Sequence, residues 1–508
     1  MGSTSQHEFR SGSHLVDGVG QHGFVARHGL YTDEQKLAAE AVASRIRELD
    51  LRTVRLTVVD QHGMPRSKSL APEVAIAAMT NGLDFSGAIY SLDTGNQVFV
   101  PAFAAGGGFG IDEFTGFPDV VLMPDATTFR VLPWADHTGW MLTDVYFSSG
   151  QPMPLDGRGL MRRMLGELGD AGYRYLAGIE VEYYIVKLDT DRVIPENAGF
   201  TPPPPEVSVF ERGYQYLSEV RLDSVASTLE AIRDGLAAVG LPPRSMEDEW
   251  GPGQMEFSFS PIGGLAAADA VVLFRSAVKQ ICQRRGLLAS FMCRPALPNF
   301  FSSGWHLHES LLRPDGTNAF ASDDDYLSGA GRQFVAGLLD HSMPMTVFAT
   351  PTVNGYKRFR PYSFAPDRVC WALENRGALV RVQGAPGDAN SHVEMRMGEP
   401  AANPYFYMAA NIAAGLDGIR RELAPPAPVE ADPYVAEAPM LPTSLAAAVD
   451  ALAHDGFYRK AFGDTLVDYL LQMKRAELAR HDAAVAENPP PEGQDVTDWE
   501  MREYFEFY

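Results

Sequence analysis

Glutamates occupy strand positions that a soluble fold usually fills with apolar side chains, and this limits the architectures open to the chain. In GIEVEYY, Glu180 and Glu182 stand two apart, so an extended backbone points both to one face. In QMEFSF, Glu256 alternates with Phe257 and Phe259, while Glu249 precedes the tight turn Gly251-Pro252-Gly253. The same period of two places His306 and His308 together in WHLHES, and Glu394 with Arg396 in HVEMRM. Carboxylates are costly to bury unless they are paired or bind metal. A lone E-x-E is an ordinary solvated strand face, and a lone H-x-H is more often structural. Four such strands, each presenting acid or imidazole to one side, describe the inside of a charged cavity. Converging glutamates and a histidine suit hard divalent cations, which prefer oxygen ligands. Arg358, Arg376, Arg381 and Arg396 cluster in strand- and loop-like contexts between 350 and 400. Guanidinium groups grip phosphate and carboxylate bidentately. Cations and arginines around one cavity imply an anionic substrate and phosphoryl transfer.

The surrounding pattern is α+β. LRTVRLTVVD (51–60) alternates as a strand ending in the turn QHG, and APEVAIAAMTNG (71–82) carries a helical apolar stripe closed by Asn-Gly. DVVLMPDATTFRVLPW (119–134) predicts two short strands around a polar turn. The reading continues with a helix over 157–173, a strand over 173–187, a helix over 222–240 and a strand over 254–261. AAGGGFG (104–110) lacks the strand-to-helix grammar of a dinucleotide loop and is expected to be a flexible insertion.

At 508 residues the chain calls for more than one domain. A net charge of −23 argues against general nucleic-acid binding, which needs a surplus of Lys and Arg. No apolar run approaches the ~20 residues that span a bilayer, so no membrane partner is expected. The N-terminus lacks the apolar core of a signal peptide. Three cysteines cannot build a disulfide framework, and the expected location is a reducing cytoplasm.

Several blocks, in order, resemble the bacterial type I glutamine synthetases over residues 50–508. They are GLDFSGAIY, PDVVLMPDATTFRVLPW, GIEVEYYIV, EWGPGQMEFSFSP, GWHLHES, TPTVNGYKRFRPYSFAP, ENRGALVRV and VEMRMGEPAANPY. The polar N-terminal stretch reads as a mobile tail (1–35), and the resemblance implies an N-terminal β-grasp domain (36–142) and a C-terminal catalytic domain (143–508). That catalytic domain would be made of curved antiparallel strands with helices outside. It also implies a homo-oligomer, a dodecamer of two stacked hexameric rings, with each active site between a catalytic domain and a neighbour's β-grasp domain. Carried over residue by residue, Glu182, Glu249 and Glu256 would hold one Mg²⁺ or Mn²⁺. Glu180, His306 and Glu394 would hold a second nearer the ATP phosphates, with two to three ions per site. His308 and Ser310 look like nucleotide contacts. Arg358, Arg396 and Gly304 would bind glutamate, while Arg376 and Arg381 would steady the phosphoryl group in flight. The catalytic set is therefore Arg376, Arg381 and Glu394. The implied reaction moves the γ-phosphate of ATP to the side-chain carboxylate of glutamate, and an amine then displaces it.

Two departures bear on the amine. The family's F-D-G-S-S run reads here Phe85-Ser86-Gly87-Ala88-Ile89, so Ser86 replaces an aspartate that helps capture ammonium. The flap P-G-Y-E-A-P reads Pro361-Tyr362-Ser363-Phe364-Ala365-Pro366, so Phe364 replaces a glutamate. Simple alkylammonium groups titrate near ~10.4 and need negative charge and a base. Losing both acids and gaining a phenyl ring predicts an apolar pocket for an amine already neutral at pH 7. The expected activity is that of a γ-glutamyl ligase for an aromatic or bulky hydrophobic amine such as aniline, similar to γ-glutamylanilide synthases. Ser86, Ile89, Tyr90 and Phe364 are the candidate amine-pocket residues. The alternatives are an alkylamine or polyamine ligase, an ordinary glutamine synthetase, and a non-catalytic ring-forming homologue. The loop Pro298–Gly304 is one residue longer than the family's G-D-N-G-S-G, which leaves the acid substrate open. Pro439-Met440-Leu441-Pro442 lacks the tyrosine that some bacterial enzymes adenylylate.

Overall fold

The computed structural model describes residues 22–508, apart from 102, 105, 106 and 191. The chain divides into two compact units. One comprises residues up to Val58, Arg66–Ser86 and Asp119–Met153, and the other Val59–Pro65, Gly87–Pro118 and Pro154–Tyr508.

The first unit is the β-grasp domain. Its strands are β1 (Thr53–Val59), β2 (Pro65–Leu70), β3 (Leu83–Ser86), β4 (Asp119–Pro124), β5 (Arg130–Val131) and β6 (Thr138–Tyr146). They lie in the order β2-β1-β6-β4-β3, with β5 on β6. β1 and β6 run parallel, whereas β4 pairs antiparallel with both β6 and β3. Alternation in β1 sends Val54 and Leu56 into the core, where they meet Ala39, Val42 and Ile46 of the helix Asp33–Glu48. That helix starts at a capping box between Thr32 and Gln35, which satisfies two orphan backbone donors. Pro72 opens the next helix, Pro72–Asn81, where its missing N–H is harmless.

Two expectations are corrected here. Residues 1–21 of the expected tail lie outside the described residues. Gly23–His28 of that tail, however, is helical, and Phe24 and Val25 enter the same core. Of the expected flexible insertion, residues 105 and 106 lie outside the described residues. Its Phe109 packs against Phe99, Phe114, Phe117 and Tyr469, which anchors the end of the segment.

The second unit is built on a ten-stranded curled sheet. Its strands are β7 (Arg174–Leu188), β8 (Val207–Ser208), β9 (Pro243–Asp248), β10 (Gln254–Phe259), β11 (Ile262–Gly263), β12 (Leu287–Ser290), β13 (Trp305–Leu312), β14 (Trp371–Leu373), β15 (Val380–Gln383) and β16 (His392–Gly398). The path runs β14-β15-β16-β13-β7-β10-β9, with β8, β11 and β12 also paired to β7. β14 and β15 are parallel, and β7 pairs antiparallel with every neighbour. On β7 the odd residues Tyr175, Ala177, Ile179, Val181 and Tyr183 face a core closed by the helix Leu265–Gln283. Tyr183, Phe257, Phe274 and Phe291 interlock there in stacked and edge-on pairs. The helix expected over 222–240 is interrupted at Val225, giving Glu219–Ser224 and Ala226–Ala238.

Behind this sheet the helices Gly329–Asp340 and Pro404–Arg420 touch backbone to backbone. A Cβ on Gly337 would lie 2.0 Å from the carbonyl oxygen of Ala414, and one on Gly418 2.1 Å from that of Gln333. Gly337→Ala is therefore expected to lower stability by about 1–3 kcal/mol, through overpacking that rotamer changes cannot relieve. The midpoint of a denaturant titration checks this.

Candidate active site

The period-two glutamates project from the face of the sheet opposite that core. Antiparallel register sets Glu256 of β10 opposite Glu182 of β7, and His306 of β13 opposite Glu180. On the other side of β13, His308 stands opposite Glu394 of β16, which in turn stands opposite Arg381 of β15. The charged row thus crosses five adjacent strands, and its members meet because cross-strand neighbours sit close together.

Two overlapping groups of donor atoms result. Glu180, His306 and Glu394 bring one ligand atom each to within 4.8 Å of one another, and so do Glu182, Glu256 and His306. His306 Nδ1 lies 2.6 Å from Glu180 Oε1, and its Nε2 lies 3.3 Å from Arg358 Nη2. Since a guanidinium can only donate, His306 accepts at Nε2 and donates from Nδ1 to Glu180. His308 Nε2 is 3.3 Å from the other oxygen of Glu180, and its Nδ1 is 3.1 Å from His392. Gly304 N–H and Gln254 Nε2 both donate to Glu182 Oε2, at 3.0 and 3.3 Å. Glu249 stands outside both donor groups, although its charge is felt by Glu256.

The arginines form a scaffold around these acids. Arg358 donates to the carbonyls of Arg396 and Gly398 at 2.9 and 3.3 Å. Arg396 contacts Glu394 and also donates to the carbonyls of Arg376 and Phe364, each at 3.0 Å. Arg381 bridges Glu394 at 3.2 Å and Glu374 at 2.6 Å. Arg376 itself is exposed, and Ser310 lies buried on the same face of β13 as the two histidines.

These acids are not electrostatically at rest. Burial, followed by repulsion from Glu180 and Glu182, pushes Glu256 up to about 11. Burial and then Glu182 push Glu249 up to about 8, and burial raises Glu182 to about 7 against the pull of Arg358. Burial would also raise Glu180, but its hydrogen bonds to His306 and His308 hold it well below the usual carboxylate range. His306 is lowered to about 4 by burial and by Arg396, so it is neutral. Three crowded carboxylates that keep protons for want of positive charge fit a hard divalent cation, which would displace those protons.

A pH dependence follows. The unfolded glutamates release their protons near 4.5, whereas native Glu256 and Glu249 hold theirs to about 11 and about 8. The native state therefore binds more protons at neutral pH, and metal-free stability falls as pH rises. Glu180 is lowered and loses its contribution only in acid, and His306 acts below its ordinary 6.5, so neither acts in this window. The melting temperature of the metal-free protein is expected to fall between about pH 7 and about pH 8, and the increment from added Mg²⁺ to grow. Calorimetry with and without Mg²⁺ checks both.

The residues expected to line the amine pocket differ in exposure. Ser86 is exposed at the end of β3 in the first unit, whereas Ile89 is half-buried in a short 3₁₀ turn of the second. Tyr90 corrects its expectation. It is fully buried, packs edge-on against Phe114, and its carbonyl accepts from Tyr469 at 2.8 Å. It is a core residue and presents no surface to a pocket. Phe364 is 59 % exposed on the loop that Arg396 holds by its carbonyl. Its φ of 58°, and that of 60° at Tyr362, place two aromatic residues in the left-handed region that side chains avoid.

Sequence reasoning missed Gln254, which together with the N–H of the expected site residue Gly304 positions Glu182, and Glu374, which positions Arg381. It also missed an aromatic stack beside Glu249. Tyr216 and Trp250 lie parallel, with centroids 5.5 Å apart and an interplanar angle of 7°, and Phe301 stands 6.4 Å from Trp250.

This constellation of acids, imidazoles and arginines has known counterparts. Residues 154–504 match the glutamine synthetase catalytic domain. The chain belongs to the glutamine synthetase family. It is 46 % identical to a γ-glutamylanilide synthase from an Acinetobacter species, covering 95 % of this chain and 98 % of that protein. It is 31 % identical to the glutamine synthetase of Pyrococcus furiosus, covering 90 % of this chain and 97 % of the relative. Among solved structures, ligand-free GmaS superposes with a TM-score of 0.74 at 27 % identity, covering 91 % of this chain and 98 % of the other. Membership in the family makes the chain a ligase, and the family works with ATP and divalent metals. Among the described residues, no helix is long and apolar enough to cross a membrane.

Proposed function

We propose that this ligase joins the γ-carboxyl group of glutamate to an aromatic or bulky hydrophobic amine, by way of a γ-glutamyl phosphate. The observation that carries the reading is Phe364, a solvent-exposed phenyl ring on a loop that Arg396 holds, at the position where the resemblance to glutamine synthetases implies a glutamate. Ser86, in place of an aspartate, removes the second acid that would attract ammonium. The name of the Acinetobacter relative, at 46 % identity, supports the same nitrogen donor.

In this reading Glu182, Glu249 and Glu256 hold one divalent ion, and Glu180, His306 and Glu394 a second. Bound there, such ions supply charge neutralisation on the transferring oxygens. Arg381 and Arg376 steady the phosphoryl group as it passes from ATP to the carboxylate, and His308 and Ser310 contact the nucleotide. Arg358, Arg396 and Gly304 seat the glutamate. The amine nitrogen then attacks the activated carbonyl carbon, the C–O bond to phosphorus breaks, and phosphate departs with that oxygen. The surplus N–H proton goes to the departing phosphate, because neither Ser86 nor Phe364 offers a carboxylate base. A cytoplasmic dodecamer of two stacked hexameric rings would bring Ser86 and Ile89 to the amine pocket of a neighbouring subunit.

Phosphate release from ATP, Mg²⁺ and glutamate, compared across aniline, ethylamine, a polyamine and ammonia, tests the proposal. Aniline is expected to give the highest rate. Turnover with ammonia but not with aniline would overturn it.

A further inference from the structure

The aromatic stack beside Glu249 is unusual in being both open to solvent and rigidly built. Tyr216, Trp250 and Phe301 are 45, 42 and 46 % exposed, yet each hangs from a fixed backbone. Tyr214 N–H donates to the Trp250 carbonyl at 2.9 Å, and Leu217 N–H to the Asp248 carbonyl at 3.0 Å, which clamps the Tyr216 segment onto the Trp250 turn. Buried Arg221 locks the two together from beneath. It reaches Glu211 at 2.9 Å, the Glu249 carbonyl at 3.0 Å and the Gly251 carbonyl at 3.1 Å. Phe301 is held by Tyr184, whose hydroxyl accepts from the Phe301 N–H at 2.8 Å and lies 3.1 Å from its carbonyl. Tyr184 in turn stacks on Phe300, with centroids 4.3 Å apart. Tyr214 and Leu217 take positive φ values of 72° and 56°, and Asn299, two residues before Phe301, one of 68°. Backbone strain of this kind persists where a site holds it in place.

The stack also belongs electrically to the carboxylate cavity. Tyr216 is close enough to Glu249, Glu256 and Arg376 for its hydroxyl to sense their charges. Trp250 follows Glu249 directly in sequence. Arg396, which holds the Phe364 carbonyl, holds the Arg376 carbonyl as well. Glu249 and Glu256 belong to the ion site farther from the nucleotide phosphates in the reading above, so the shelf lies on the side where a nucleophile must arrive. A flat, neutral ring gains most from such a surface by stacking on a face already fixed in place. An ammonium ion gains nothing comparable from it once the acids at 86 and 364 are gone.

We infer that Tyr216, Trp250 and Phe301 form the arylamine-binding wall contributed by the catalytic domain, and that they determine specificity for aromatic over small amines. The inference rests on the ligase reading above and assigns it a surface. Trp250 and Phe301 are the sensitive positions, because their rings are exposed while their backbones are anchored.

The test compares kcat/KM for aniline and for hydroxylamine, a small neutral nucleophile, in Trp250→Leu, Phe301→Leu and Trp250→Phe, with KM for ATP measured in parallel. The aniline-to-hydroxylamine ratio is expected to fall about tenfold or more in both leucine variants, chiefly through KM for aniline. Trp250→Phe, which keeps an aromatic face, is expected to hold the ratio within about twofold of the unmodified enzyme. An unchanged ratio in both leucine variants overturns the assignment. So does a rise in KM for ATP with the ratio unchanged, which would give the shelf to adenine. If Trp250→Leu fails to fold, Phe301→Leu decides alone. Failure of the broader reading looks different: the unmodified enzyme would then discharge to hydroxylamine but not to aniline.

Discussion

Glu256→Gln is expected to abolish ligation, lowering kcat by about a thousandfold or more, while the protein stays folded. The two halves of this expectation have one cause. Glu256 is crowded by Glu180, Glu182 and Glu249, and burial with those neighbours pushes it up to about 11. Without metal it therefore carries a proton at pH 7. Glutamine has nearly the same shape and is neutral in the unfolded state as well, so it is spared the proton uptake that native Glu256 needs at pH 7, and the metal-free melting temperature should hold or rise. With metal the two residues differ. Glutamine brings no negative charge to an ion that must neutralise the transferring oxygens, a contribution worth several kcal/mol, or roughly three decades in rate. Steady-state phosphate release together with melting curves with and without Mg²⁺ checks both halves. The variant is expected to lose most of its Mg²⁺-induced stabilisation. Normal turnover by Glu256→Gln would remove Glu256 from the metal site.

The second large effect concerns the nitrogen donor. Phe364→Glu is expected to lower kcat/KM for aniline by about tenfold to a hundredfold, the equivalent of a lost aromatic contact. It is expected to raise kcat/KM for ammonia about tenfold, through Coulomb attraction of ammonium in a partly screened cleft. The backbone does not confound this comparison. A φ of 58° is as unfavourable for glutamate as for phenylalanine, and Arg396 holds the loop through the carbonyl of residue 364, not its side chain. The change is therefore one of charge and shape at a fixed point. Amine-dependence curves for the two donors give the answer, and unchanged aniline kinetics would mean that Phe364 does not touch the amine.

The cavity was legible in the sequence because strand geometry has a period of two. Once Glu180 and Glu182 lay on one face of β7, antiparallel register carried Glu256, His306 and Glu394 to the same side without further information. Glu309 illustrates the same rule in reverse. It is one residue out of phase with the two histidines, so it enters the core, where Tyr175 donates to it at 2.7 Å. Features fixed by long-range contacts were not legible. Nothing local in GYQYLSEV announces that Arg221 will tie Tyr216 to Trp250, because those bonds join segments some thirty residues apart. The same holds for Tyr90, whose burial depends on Phe114 and Tyr469. The break at Val225 escaped because the apolar period runs on through it, whereas the backbone there leaves the helical region at φ −111° and ψ 4°. The six-residue helix Gly23–His28 is too short to carry a periodic signal.

The central claim is that a conventional carboxylate-activating half has been joined to an amine site stripped of charge. Isotope transfer tests it most directly. Glutamate labelled with ¹⁸O in its γ-carboxyl group is supplied with ATP, Mg²⁺ and either aniline or ammonia, and the released phosphate is analysed by mass spectrometry. With aniline, each phosphate released is expected to carry one oxygen from the glutamate, and with ammonia labelled phosphate is expected to form far more slowly. Unlabelled phosphate, or labelled phosphate formed equally fast with ammonia, would contradict the account.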